Sequence, residues 1–178
     1  MTRVALVRHG ETDWNRDRRL QGRTDIPLNE MGRDQAYQVA RLLGRSRWSL
    51  VLSSPLVRAR ATAQIISDVT GIPLGEPILE LIERSYGRAE GSIVSDAHTL
   101  WPDGCYPDSE SMDALAERGD NCVRDISTRH SGGVVLVSHG ALIRGAMTRL
   151  TGHPTPRILN GGMAVLTQRS GTWIMDDA

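Results

Sequence analysis

Two short stretches combine a cation, an imidazole and glycine in a pattern that suggests chemistry. Arg8-His9-Gly10-Glu11-Thr12 follows the apolar run Val4-Ala5-Leu6-Val7, and Ser138-His139-Gly140 follows Val134-Val135-Leu136-Val137. A turn at a strand end needs neither a guanidinium nor an imidazole, yet the His-Gly ending occurs twice. In an open parallel sheet the carboxyl ends of the strands border the crevice where ligands bind, so both imidazoles are expected in one cleft. A third cation, Arg58, lies in Ser53-Ser54-Pro55-Leu56-Val57-Arg58-Ala59, behind Leu50-Val51-Leu52. On a helix its side chain would lean back toward the same sheet edge.

Two ligand chemistries compete for these residues. A divalent cation held by His9, His139 and Glu11 or Glu83 would lie close to Arg8, a repulsion of several kcal/mol at interior dielectrics. A phosphoryl group instead draws on every donor. Arg8 can fork across two oxygens, Gly10 lets the backbone approach closely, and His139-Gly140 opens a helix whose first amides and dipole favour an anion. The pattern suits an anion, with no metal and no cofactor implied.

The elements that must position these groups follow from periodicity. The apolar runs at Val4, Leu50 and Val134 are apolar throughout, without alternation, as expected of a parallel sheet covered on both faces. Between them lie helical patterns. Asn29 caps a segment with Ala36, Val39, Ala40 and Leu43 on one face, stopped by Gly44. Ser54 suits the cap and Pro55 the first position of the next, which carries Leu56, Ala59, Ala63 and Ile66 and ends at Gly71. A third runs from about Ser109 through Leu115, Cys122, Val123 and Ile126, and a fourth spans Ala141 to Leu150. Stretches 161–167 and 172–175, joined through Arg169-Ser170-Gly171, form a closing hairpin. The expected class is α/β, with residues 1–178 as a single domain. Stretch 82–107, rich in Gly, Ser, Asp and Pro, is the candidate for a loop over the site.

Composition removes other classes. The 178 residues include 21 basic and 21 acidic ones, so no global field recruits nucleic acid or an anionic membrane. All basic residues are arginines, which removes Schiff-base catalysis and the phosphate-loop lysine. Cys105 and Cys122 fit neither a zinc ribbon nor a redox pair. Without an apolar run of the ~18 residues that spans a membrane, or a leader-like start, a cytoplasmic location is expected.

These residues resemble the histidine phosphatase superfamily, the phosphoglycerate-mutase-like proteins marked by the RHG motif. Arg8-His9-Gly10-Glu11-Thr12, Trp14-Asn15, Gln21-Gly22, Asp25, Pro27-Leu28-Asn29 and Gly32 are similar to its opening block. Ser53-Ser54-Pro55-Leu56 with Arg58-Ala59 and Thr62-Ala63 resembles its second, Glu83 with Gly87 and Glu90-Gly91 its third, and Ser138-His139-Gly140 its last. The resemblance implies a three-layer α/β/α sandwich with a mostly parallel sheet, and phosphoryl transfer through a phosphohistidine. By position it makes His9 the nucleophile, Arg8, Arg58 and His139 the holders of phosphoryl oxygens, and Glu83 the proton donor and acceptor, with Glu80 as a rival. Asn15, Gln21 and Gly22, with Gly140, become substrate contacts, and Glu11 a structural partner.

Two departures mark the substrate side. Ala89-Glu90-Gly91 stands where Trp-Glu-Gly is common, and Ser109-Glu110-Ser111 where Gly-Glu-Ser is common. Arg88, Trp101 and Tyr106 are candidates to touch the alcohol half of a substrate, and Arg16, Arg18, Arg19 and Arg23 hint at an acidic one. The implied activity is that of a histidine acid phosphatase-type phosphomonoesterase acting on a small phosphorylated metabolite. A cofactor-dependent phosphoglycerate mutase and a non-catalytic phosphate-binding or regulatory module are the alternatives. A homodimer through a sheet edge is compatible with this architecture.

Overall fold

The structure is a computed structural model that describes residues 2–176. Strand β1 (Thr2–Arg8) is followed by a short helix α1 (Asp13–Arg16), helix α2 (Glu30–Leu43), strand β2 (Leu50–Ser53) and helix α3 (Val57–Thr70). Then come α4 (Val94–Leu100), α5 (Met112–Arg129), β3 (Val134–Ser138), α6 (Gly140–Thr151), β4 (Met163–Arg169) and β5 (Thr172–Met175). The five strands form one sheet in the order β2-β3-β1-β4-β5. The first three are parallel, while β4 and β5 run antiparallel as the expected hairpin. Its turn places Ser170 and Gly171 both at positive φ, the backbone that a tight hairpin requires.

Apolar runs on the strands are explained by burial on both faces. Val4, Leu6, Leu52, Val134, Leu136 and Leu166 join a core with α5 and α6 residues such as Leu115, Val123, Ile143 and Met147. Ala5, Val7, Val51, Val135 and Val137 turn the other way, onto Val39, Leu43, Ala59 and Ile66 of α2 and α3. The result is the three-layer α/β/α sandwich with a mixed, mostly parallel sheet.

The start and end of α2 follow the sequence, whereas α5 begins at Met112, three residues past the expected Ser109, and α3 also begins late. Asn29 accepts the Gly32 N–H at 2.8 Å and caps α2, and Ser111 accepts the Ala114 N–H at 3.1 Å and caps α5. Ser54 does not cap α3. The helix starts two residues later than expected, with Leu56 at its cap, because Asp25 reaches over from another segment and accepts the Val57 N–H at 2.8 Å. With that orphan amide satisfied from a distance, the Ser54 hydroxyl is left for the site.

Stretch 82–107 is less a loop than a packed cap. It contains a 3₁₀ turn at Gly87–Ala89 and the helix α4, which the Gly, Ser and Pro content concealed. Leu20, Ala89, Ala97 and Tyr106 form a small third core with Tyr86, Val94 and Trp101. Ala89 is wholly buried there.

Candidate active site

The register of the sheet creates the site. Arg8 lies opposite Ser138 in the parallel β1–β3 pair, and the His9 N–H continues the ladder to the Ser138 carbonyl at 3.0 Å. The residues that follow each strand, His9 and His139, therefore emerge side by side, with ring centroids 5.0 Å apart and an edge-on arrangement at 60°. His9 is 3% exposed and His139 0%.

His9 Nδ1 lies 2.6 Å from the Gly10 carbonyl oxygen, which can only accept, so Nδ1 carries the proton and Nε2 keeps a lone pair. Burial first, then the charges of Arg58 and Arg8, hold His9 well below its usual pKa near 6.5. His139 is depressed in the same direction, by burial and then by Arg58. Its Nε2 lies 2.7 Å from Ser54 Oγ, and that hydroxyl also accepts the Leu56 N–H at 3.3 Å. When Ser54 gives its own proton to His139 Nε2, the imidazole proton stands on Nδ1. That Nδ1 is buried with no protein partner.

Two guanidiniums complete the charge. Arg58, 1% exposed, reaches the sheet edge as the helix geometry requires. Its two terminal nitrogens are engaged by the carbonyls of Thr24 (2.9 Å) and Gly22 (2.7 Å), while Nε is buried without a partner. Arg8 spends Nη1 on the Ile158 carbonyl at 3.0 Å, and its Nε is likewise unpartnered. Neither fork is wholly available to a ligand. Burial, with the neighbouring charge of Arg157, lowers the Arg8 pKa to about 10, and burial also lowers that of Arg58.

Glu83 corrects the expectation that the first amides of α6 would serve a bound anion. Its carboxylate, itself buried, accepts the N–H groups of Ala141 (3.3 Å), Leu142 (3.2 Å) and Arg84 (2.9 Å). A carboxylate of the chain already occupies the positive end of that helix dipole, held at the mouth of the site. Glu80 is exposed and belongs to a separate groove beside β2, so it is no rival.

Gly10 also serves a different end from the one expected. A Cβ there would collide with the Gly32 carbonyl, so its lack of a side chain lets the start of α2 close on β1, and its N–H donates to Thr62 Oγ1 at 3.1 Å. Glu11 is structural, accepting from Asn29 Nδ2 at 2.9 Å. Gly22, at φ 54°, turns its backbone against Glu90, whose carboxylate would overlap any Cβ. Glu90 accepts the N–H of Arg23 (3.0 Å), the N–H and hydroxyl of Thr24 (3.0 and 2.7 Å) and the N–H of Tyr86 (3.2 Å). Residues 21–24 are thereby clamped between Arg58 and the cap.

Arg8, His9, Asn15, Gln21, Gly22, Arg58 and Glu83 line one cavity of about 110 Å³. His139 adjoins His9 behind this surface, and Gly140 lines the neighbouring cavity of about 250 Å³ beside Arg8 and Glu83. Gln21 Oε1 is buried without a partner, whereas Asn15 spends its side chain within the fold, closing the Thr12 cap and accepting from Asn160 Nδ2 at 3.0 Å. Among the described residues no three His, Cys, Asp or Glu side chains gather so as to hold a metal ion.

Sequence reasoning missed Asn160, which also donates to the His9 carbonyl at 3.2 Å, and Arg144, Arg157, Tyr86, Val94 and His98 on the walls. Arg144 had a signal, one helical turn beyond Gly140; Arg157 and Asn160 lie in a segment without periodicity. All three expected substrate contacts pack elsewhere: Tyr106 stacks edge-on with Tyr86 and with Trp101 and lies beneath Arg84, and Arg88 pairs with Asp108 at the surface. Of the four early arginines only Arg19 lines the cavity, while Arg16 pairs with Asp13 and Asp17 and Arg23 with Glu110.

Residues 4–176 match the family described as "Histidine phosphatase superfamily (branch 1)". An uncharacterized phosphatase, PhoE of Bacillus subtilis (strain 168), is 34% identical over 99% of this chain and 94% of its own length. A probable phosphoglycerate mutase, GpmB of Enterobacter sp. (strain 638), is 32% identical over 98% of this chain and 88% of its own. The solved structure of a mycobacterial glucosyl-3-phosphoglycerate phosphatase with VO3 superposes with a TM-score of 0.89 at 29% identity, covering 98% of this chain and 96% of that one. With a family match across almost its entire length and a paired-histidine site at the sheet's carboxyl edge, the chain belongs to the histidine phosphatase superfamily (branch 1), as a phosphatase.

Proposed function

We propose that this phosphatase hydrolyses a small phosphomonoester through a phosphohistidine on His9 Nε2. The observation that carries the reading is the bond from His9 Nδ1 to the Gly10 carbonyl. It fixes the tautomer and aims a neutral nucleophile into a cavity where Arg8 Nε and Arg58 Nε, both unpartnered, can bind phosphoryl oxygens. The ring of His139 adjoins that of His9, and its unpartnered Nδ1 supplies a third donor.

In the first step the Nε2 lone pair forms the N–P bond as the ester P–O bond breaks, and Glu83 passes a proton to the departing alkoxide. In the second, water attacks phosphorus, Glu83 removes its proton, and the N–P bond breaks to regenerate neutral His9. Charge on the equatorial oxygens falls to the guanidiniums, so no metal ion is needed.

The test is His9→Ala against p-nitrophenyl phosphate, with rapid quench of labelled substrate. Turnover is expected to vanish in the variant, and wild type should trap an acid-labile phosphoenzyme and remain active in EDTA. A fully active variant would refute the assignment. A mutase would interconvert 3- and 2-phosphoglycerate, primed by 2,3-bisphosphoglycerate, faster than it releases phosphate; the hydrolytic reading expects release to dominate.

A further inference from the structure

The wall of the site beyond Glu83 carries charge that neither the phosphoryl group nor the chemistry uses. Arg8, Leu20, Glu83, Tyr86, Val94 and Arg157 line both the His9 cavity and the neighbouring one of about 250 Å³, so Glu83 and Arg157 stand between the phosphoryl position and the space for the departing alcohol, while Arg144 lines the second space. The lining of that second space combines apolar groups, Leu20, Val94 and the Tyr86 ring, with two further cations, Arg144 of α6 and Arg157 of the segment after it. Neither arginine lies within an ion pair among the described residues, and neither guanidinium donates to another residue there, although six other arginines of this chain hold carboxylates within 3.4 Å. Arg157 and Arg8 line the same two cavities and their like charges oppose each other, an arrangement relieved by an anion shared between them.

We propose that Arg144 and Arg157 are specificity determinants that select phosphomonoesters whose alcohol half bears a second anionic group, a carboxylate in the first instance. The inference rests on the phosphatase reading and names its substrate class. A dianionic phosphoryl group is balanced by Arg8 and Arg58, so a neutral alcohol would leave two cations of the wall without a partner, whereas a carboxylate accepts the planar fork of either one. The space is smaller than the pockets that take drug-sized ligands, which favours a leaving group of a few carbon atoms.

The decisive pair is 3-phosphoglycerate and glycerol 3-phosphate, which differ by a carboxylate in place of a hydroxymethyl group. Each is used as a competitor of p-nitrophenyl phosphate hydrolysis by the full chain. Wild type is expected to show a Ki at least tenfold lower for 3-phosphoglycerate at low ionic strength, a ratio that shrinks in 0.5 M salt. Arg144→Gln combined with Arg157→Gln should bring the ratio to within threefold of one, and Arg144→Lys should retain most of it. A wild-type ratio already within threefold, or one unmoved in the folded double variant, overturns the inference while leaving the phosphatase reading intact. Absence of p-nitrophenyl phosphate hydrolysis would instead strike the phosphatase reading, and the thermal shifts produced by the two ligands would still report the preference of the wall.

Discussion

Arg58→Lys separates a point charge from a planar fork in a position where the structure makes the difference large. Arg58 is 1% exposed and donates to two backbone carbonyls, Gly22 at 2.7 Å and Thr24 at 2.9 Å, with Nε buried and unpartnered in a residue that lines the cavity. An ammonium gathers its three donors on one nitrogen, so it cannot reach acceptors that the guanidinium meets from separate nitrogens. At least one charge-assisted bond is lost, worth about 1.5–3 kcal/mol, with a buried carbonyl left unpaired. For a chain of this size that lowers Tm by about 3–12 °C. Loss of one preorganised donor to the transition state adds a fall in kcat of about 10²- to 10³-fold. Calorimetry and p-nitrophenyl phosphate kinetics on the same preparation read both numbers. The reasoning is wrong if the lysine variant keeps wild-type kcat/KM within threefold and its Tm within 1 °C.

Glu83→Gln should slow alkyl phosphates by about 10²- to 10⁴-fold but p-nitrophenyl phosphate far less, because a good leaving group needs little proton donation; equal losses on both would remove Glu83 as the acid. His9 and His139, both held well below 6.5 by burial and by neighbouring cations, make the folded state refuse protons that the unfolded chain accepts. Their stabilising contribution is complete above pH 6.5 and falls by about 1.4 kcal/mol per pH unit for each imidazole below it, until the depressed values are reached. Urea unfolding of wild type and His139→Gln between pH 7 and 5 should therefore show a shallower slope in the variant, and parallel slopes would contradict the burial argument. Gly10→Ala forces a Cβ into the Gly32 carbonyl, backbone against backbone, so a loss of about 3 kcal/mol with reduced activity is expected from denaturant titration; a neutral result would mean that α2 can retreat from β1 without cost.

The local patterns that could be read along the chain were those set by burial and by helix ends. Val4, Leu6 and Val7, or Val134 to Val137, are apolar at every position because both faces of their strands are covered, and this alone implies helices on two sides. The His-Gly endings then place Arg8, His9 and His139 at the carboxyl edge, and Asn29 and Gly44 mark where α2 begins and ends. Residues 82–107 misled because Gly, Ser and Pro suggest turns, while the helix at Val94–Leu100 is held by packing of Ala97 against Leu20 and Tyr106, contacts that no local period encodes.

What the tertiary structure decided is where each unpaired polar group found its partner. Glu83 took the first amides of α6 across 58 residues of chain, Asp25 rather than Ser54 satisfied the start of α3, and Ser54 passed to His139. Arg58 closed on the carbonyls of residues 22 and 24, and Asn160 reached back to His9 from far along the chain. Side-chain type and period state that a group must be buried or capped. Which distant atom does it depends on the folded approach of segments remote in sequence, where a polar group removed from water accepts the nearest well-aligned partner.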